Sequence, residues 1–186
     1  MTLSITLPPW VDALTAPGKV YADDEAKMRL AIELARQNVL HDTGGPFGSA
    51  IFEQGTGRLV AAGVNSVVRL NNSVLHAETV AIMLAEARLG SWTLGGEGRV
   101  EHELFTSCAP CAMCLGATMW SGVKRLVIAA SKEDAEALEF DEGPVFAESY
   151  AHLIRRGVEV VPELLRSEAQ EVFKLYRERG GQIYNG

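Results

Sequence analysis

The chain has 186 residues, 47% of them apolar and 22% charged, which suits one soluble globular domain with a substantial core. No run approaches the roughly 18 apolar residues of a membrane span, and no basic flank precedes an apolar block, so neither an anchor nor a secretory signal is expected. A formal net charge of −7 argues against nucleic-acid binding, which usually needs a basic patch, and three cysteines leave no disulfide framework, which fits a reducing cytoplasm.

Residues 1–22 carry Pro8-Pro9, Trp10 and Pro17-Gly18 without a clear period. They read as an arm lying on a domain that runs from 23 to 186, with Trp10 as its anchor. Asp23 or Asp24 caps a first helix, Glu25 lies in its first turn, and Met28, Ile32, Ala35 and Val39 form its buried face. Gly44-Gly45-Pro46 breaks that pattern beyond His41. Strands over Gly48–Phe52 and Arg58–Val68, joined by Gln54-Gly55-Thr56-Gly57, make a hairpin. Phe47, just before it, reads as core. Asn65 reads either as a turn residue or as an amide that can donate to and accept from a nucleobase edge.

Asn71-Asn72-Ser73 is a loop before a helix from about His76 to Leu89. Gly90–Arg99 is glycine-rich but matches no phosphate-binding pattern. A strand over Glu101–Ser107, a helix from Cys111 to about Trp120 ended by Gly122, and an apolar strand over Arg125–Ala130 form a crossover whose two strands should be parallel. An acidic helix over Lys132–Glu139, a break at Gly143-Pro144, a helix over Val145–Arg155, a parallel strand over Val158–Val161 and a helix over Pro162–Arg179 complete the order. Between Lys132 and Glu148 stand seven acids and one base, a run that reads mostly as a solvated face and would repel a phosphate backbone near a site. The tail, 180–186, ends in Ile183 and Tyr184, which either pack on the last helix or cover a pocket. The expected fold is α/β: a five-stranded mixed sheet in a three-layer α/β/α arrangement, with the site at the strand ends.

The chemistry concentrates in Pro110-Cys111-Ala112-Met113-Cys114 and His76-Ala77-Glu78. Pro110 is a favoured first helical residue, and cysteines three apart on that helix face one side. The positive end of the helix favours thiolate, the form that binds zinc. His76 supplies a third ligand, and three protein ligands are the mark of a catalytic zinc with a place for water, whose pKa falls to about 7 on the metal. Glu78 stands where it can move protons of that water. A C-x-x-C alone also fits a redox pair, half of a structural zinc site, or two buried thiols. The redox reading leaves His76 and Glu78 idle. The structural-zinc reading needs a fourth ligand, and His41, His102 and His152 have no motif spacing to either cluster.

The H-x-E and P-C-x-x-C pair is the zinc deaminase signature. With Gly44-Gly45-Pro46-Phe47-Gly48, Ala61–Asn65, Phe140-Asp141-Glu142-Gly143-Pro144 and Ile183-Tyr184-Asn185, the chain resembles the cytidine-deaminase-like superfamily, and within it the guanine deaminase branch. The resemblance implies one zinc per subunit on His76, Cys111 and Cys114, with Glu78 as proton shuttle and Glu142 as a second acid at the departing amine. It implies substrate contacts at Phe47, Asn65, Ala77, Trp120 and Tyr184, a tail that closes over its own or a neighbour's site, and a cytoplasmic homodimer acting on a free nucleobase. Related amino-heterocycles, a guanosine-type nucleoside, ammeline and cytosine among them, are the alternative substrates; a tRNA adenosine deaminase or a non-catalytic zinc protein are further ones. Many members carry Glu before the Pro of P-C-x-x-C, where Ala109 stands here, which removes a hydrogen bond available to the ligands.

Overall fold

The computed structural model describes residues 4–16 and 18–185; the first three residues of the arm, Pro17 and Gly186 lie outside the described residues. Within the arm, α1 (Trp10–Leu14) is a single short turn of helix. Trp10 anchors it by stacking on His41 at 5.5 Å and donating to the Thr43 hydroxyl at 3.2 Å. In α2 (Asp24–Leu40) the Asp23 carboxylate accepts the Ala26 N–H at 2.8 Å, an N-cap that satisfies one of the four free donors of the first turn.

The hairpin forms from β1 (Gly48–Glu53) and β2 (Leu59–Val64). The second strand was expected to run to Val68 but stops at Val64, because the Asn65 side chain accepts the Val67 N–H at 3.3 Å and turns the chain into α3 (Val67–Leu70). There follow α4 (Ala77–Leu89), β3 (His102–Cys108), α5 (Ala112–Ser121), β4 (Arg125–Ala130), α6 (Lys132–Glu136), α7 (Ala147–Arg155), β5 (Glu159–Val161) and α8 (Arg166–Glu178). The last helix starts at Arg166 rather than Pro162, since Glu163 (φ 60°) and Leu165 (φ 58°) adopt left-handed conformations that no helix can contain. Glu139 (φ 72°) likewise lies beyond the end of α6.

The five strands lie in the order β2-β1-β3-β4-β5. β1 is antiparallel to both its neighbours, whereas β3, β4 and β5 run parallel, as the crossover rule requires. Gly48 and Gly63 let helices press close on the sheet: a methyl on Gly48 would come within 2.4 Å of the Ala31 carbonyl in α2, and one on Gly63 within 2.2 Å of the Ala77 carbonyl in α4. Beneath α2 the buried Lys27 and Glu103 pair at 2.6 Å, and Arg125 joins Glu103 at 3.2 Å and Asp24 at 2.6 Å. Among the described residues no helix is long and apolar enough to cross a membrane.

Candidate active site

The site is built on the amino ends of two helices. His76 is the N-cap of α4 (φ −70°, ψ 161°) and Cys111 the N-cap of α5 (φ −64°, ψ 173°). Their extended backbones point both side chains off the helix ends instead of along the helix surface. Pro110 was expected to be the first helical residue. It stands one residue before the cap, because the first intrahelical bond runs from Leu115 N–H to the Cys111 carbonyl, at 2.8 Å. Cys114 then lies in the first turn of α5, and Glu78 in the first turn of α4.

The donor atoms of His76, Cys111 and Cys114 lie within 4.8 Å of one another. The Cys111 Sγ is 3.6 Å from His76 Nδ1. Bonds of about 2.3 Å to sulfur and about 2.0–2.1 Å to nitrogen at a tetrahedral angle put such a pair about 3.6 Å apart, so this donor set fits zinc. Among the described residues no fourth donor joins the group. Cys108 is not a ligand: its thiol is buried, lies 3.6 Å from the Ser131 carbonyl, and is held neutral by burial.

The two ligand thiols are electrostatically unlike. A hydrogen bond from Cys114, reinforced by one with His76, pulls the Cys111 thiol down to about 4. Cys114, as the donor of that bond and by burial, is pushed well above the ordinary thiol range. One proton is therefore shared between two sulfurs, and a cation must expel it to use both. Burial works against a charged His76 ring, but its hydrogen bond with Cys111 and the negative charge of Glu78 raise it overall.

One cavity, of about 40 Å³, is lined by His76, Cys111, Glu78, Glu142, Asn65 and Phe47, with Tyr184 and Phe140 among its other walls. Burial, with the charge of Cys111 added, pushes Glu78 up to about 7. The same causes, with Glu78 contributing, push Glu142 up to about 8. Glu142 enters from the segment between α6 and α7, anchored by its carbonyl, which accepts the Ala112 N–H at 3.0 Å. Phe47 packs edge-on against Phe140 (5.0 Å) and Phe173 (5.8 Å), so it serves core and cavity together. Asn65 does two jobs as well: it turns the chain into α3 and lines the cavity. The Tyr184 hydroxyl lines the cavity, buried without a hydrogen-bond partner among the described residues, and leaves no room for a side chain on Gly45.

Two expected substrate contacts stand elsewhere. Ala77 is wholly buried and is not a wall of the cavity, because it faces the close crossing with Gly63. Trp120 is 73% exposed, since the last turn of α5 presents it away from the sheet. Conversely, Asn38 was not anticipated. It is fully buried in α2, and its Nδ2 donates to the carbonyls of Gly45 and Asn65, both at 2.9 Å, while its Oδ1 accepts from the Thr43 hydroxyl at 2.7 Å. Its only signal in the sequence is an amide beside the apolar stripe of α2.

Residues 21–130 match the cytidine and deoxycytidylate deaminase zinc-binding region. The chain belongs to that family. Within the family it is 37% identical to the guanine deaminase of Bacillus subtilis over 124 residues, 67% of this chain and 75% of that one. A solved structure of guanine deaminase from Nitrosomonas europaea superposes with a TM-score of 0.91 at 42% identity, covering 95% of this chain and 97% of that one. Another, in complex with 2,6-diaminopurine, gives 0.92 at 43% identity, covering 99% and 97%. The family's zinc-binding region is thus the one that holds His76, Cys111 and Cys114 here.

Proposed function

We propose that the protein hydrolyses guanine to xanthine and ammonia. The observation that carries the proposal is the pairing of Glu78 and Glu142 in one cavity with the His76-Cys111-Cys114 donor set, in a chain similar over nearly its whole length to guanine deaminases. His76, Cys111 and Cys114 would hold a zinc ion, which when bound would supply a water acidic enough to lose a proton at neutral pH. Glu78 receives that proton and passes it to the ring nitrogen beside the amino-bearing carbon. Glu78 is buried in the same cavity as His76 and Cys111, within reach of both transfers. Glu142, which burial favours in its protonated form, gives that proton to the departing amine as the C–N bond breaks and regains one from the hydroxyl on the same carbon as its C=O forms. Overall one C–O bond forms, one C–N bond breaks, and water's two hydrogens end on the two products.

Phe47 and Tyr184 would line the flat ring, and the Asn65 amide would read its polar edge. The exposed Asp141, among the residues lining the cavity, disfavours a phosphate backbone and therefore a tRNA substrate. We place the enzyme in purine metabolism in the cytoplasm, as a homodimer. Support for the dimer comes from α5, where Met113 and Trp120 lie seven residues apart on one exposed face and, among the described residues, nothing stands within 4 Å of a side chain built on Gly116. The test of function is ammonia release from guanine, guanosine, adenine, cytosine and ammeline, with zinc content measured on the same sample. Guanine should lead by at least about tenfold, as hydrogen-bonded recognition of a polar edge implies; a lead by any other compound refutes the assignment.

A further inference from the structure

Glu142 sits on a stretch between α6 and α7 that has no regular structure; its own carbonyl is held by the Ala112 N–H, and side chains from elsewhere fix the residues on either side of it. On its amino-terminal side the amide of Asn185 spans two backbone groups. Nδ2 donates to the Glu139 carbonyl at 2.8 Å, and Oδ1 accepts the Asp141 N–H at 3.0 Å. On its carboxyl-terminal side Lys132 donates to the carbonyls of Gly143 at 3.1 Å and Val145 at 3.3 Å. The Asp141 carboxylate closes the turn between them by accepting the Gly143 N–H at 2.8 Å. Lys132 belongs to a helix of the domain and is always present. Asn185 belongs to the tail and follows Tyr184, which stands over the cavity.

We propose that Asn185 is a positioning residue for Glu142, aligning that acid only while the tail lies across the cavity. The chemistry requires an amide at 185. The group must donate to one backbone atom and accept from another; a carboxylate cannot donate, and alanine can do neither. The arrangement ties two events together. The tail that encloses the ring with Tyr184 also brings the proton donor into register with the departing amine, through the next residue in sequence. The inference rests on the reading of Glu142 as the acid at the leaving group.

The test uses the full zinc-loaded chain, Asn185→Ala and Asn185→Asp. Two substrates are compared: guanine, and 2-fluoro-6-oxopurine. In the latter, water's oxygen bonds to the same carbon while fluoride leaves with the C–F electron pair, so no leaving nitrogen needs a proton. For Asn185→Ala, kcat on guanine should fall about 10- to 100-fold, as expected for a displaced general acid. KM should stay within about twofold, and the loss on the fluoro compound should be under about threefold, the split that marks an interaction made in the transition state alone. Asn185→Asp, which keeps the acceptor and loses the donor, should be impaired in the same direction. Equal losses on both substrates, or a loss confined to KM, would mean that Asn185 only holds the tail shut, and would overturn the proposal. Hydrogen exchange over 139–143 reads the clamp without turnover and should quicken in Asn185→Ala; unchanged exchange overturns the proposal too. A wild-type protein that releases no ammonia from guanine would instead bring down the functional assignment, leaving the exchange result to decide the clamp.

Discussion

Replacing Asn38 with alanine should damage the site from beneath without altering a wall of the cavity. The amide makes three hydrogen bonds, to Gly45, Asn65 and Thr43, and tethers the Gly44–Phe47 turn to the end of β2. At about 1 kcal/mol net each, their loss costs about 3 kcal/mol, and the Asn65 carbonyl, stranded in a buried place while that of Gly45 keeps the Phe47 N–H, raises the cost to about 4 kcal/mol. For a chain of this length each kcal/mol lowers Tm by about 2–4 °C, which gives a fall of about 8–16 °C. The same loosening frees Phe47 and Asn65, so KM for guanine should rise about tenfold, the effect of removing binding shared by ground and transition states. Asn38→Asp should be worse than Asn38→Ala, because its oxygen would face two carbonyl oxygens at the 2.9 Å now spanned by donors. Thermal unfolding by circular dichroism and steady-state ammonia release, both on zinc-loaded protein, measure these effects. A Tm within about 2 °C of wild type, or a loss in kcat at unchanged KM, would refute the reasoning.

Glu78→Gln should lose at least about 10³-fold in kcat while keeping its zinc, since the amide cannot carry protons and the ligands are untouched; metal analysis beside the activity assay checks it. Lys27→Met leaves Glu103 buried with Arg125 alone and should cost about 3 kcal/mol in urea unfolding. Asp134 is buried in part, which works to raise it, but hydrogen bonds from Arg166, Gln170 and the Ser131 N–H outweigh burial and hold it below the usual carboxylate range. Its contribution to stability is present above the unfolded value of about 3.9 and is lost as pH falls through the lowered folded value, so the Tm gap between wild type and Asp134→Asn should be full at pH 7 and shrink below about pH 4. Trp120→Glu should convert a dimer to a monomer in sedimentation experiments, with the fold retained by circular dichroism; an unchanged sedimentation coefficient would remove α5 from the interface.

The parts of the site that are legible in the sequence are those fixed by local spacing. His76 with Glu78, and Cys111 with Cys114, each lie within one turn of one helix, so knowing the helix is enough to know that they converge. The parallel pairing of β3, β4 and β5 follows from the helical crossovers between them, whereas the place of β1 between β2 and β3 does not. What the sequence conceals depends on contacts between distant segments. Asn38 reads as one more polar residue until Gly45 and Asn65 are folded against it. Trp120 resembles a cavity wall by its place in the motif, but which face of α5 it occupies is decided by the seven-residue spacing to Met113 and by packing on the sheet. The late start of α8 turns on Glu163 and Leu165 adopting a conformation that neither residue favours. Such a choice is imposed by the path back from β5 and leaves no mark in the periodicity.

The bare α-carbon at Gly63 governs chemistry that it never touches. His76 and Glu78 ride on the first turn of α4, and that turn rests on the sheet where the Ala77 carbonyl and the Ala81 amide would stand 2.2 and 2.5 Å from any added methyl. Lifting the helix by the thickness of one carbon would carry the imidazole and the proton carrier away together while both sulfurs, fixed to a different helix, stayed behind. The reach of the grip on a cation is thus set by clearance on the underside of α4, two layers of backbone meeting with no side chain between them.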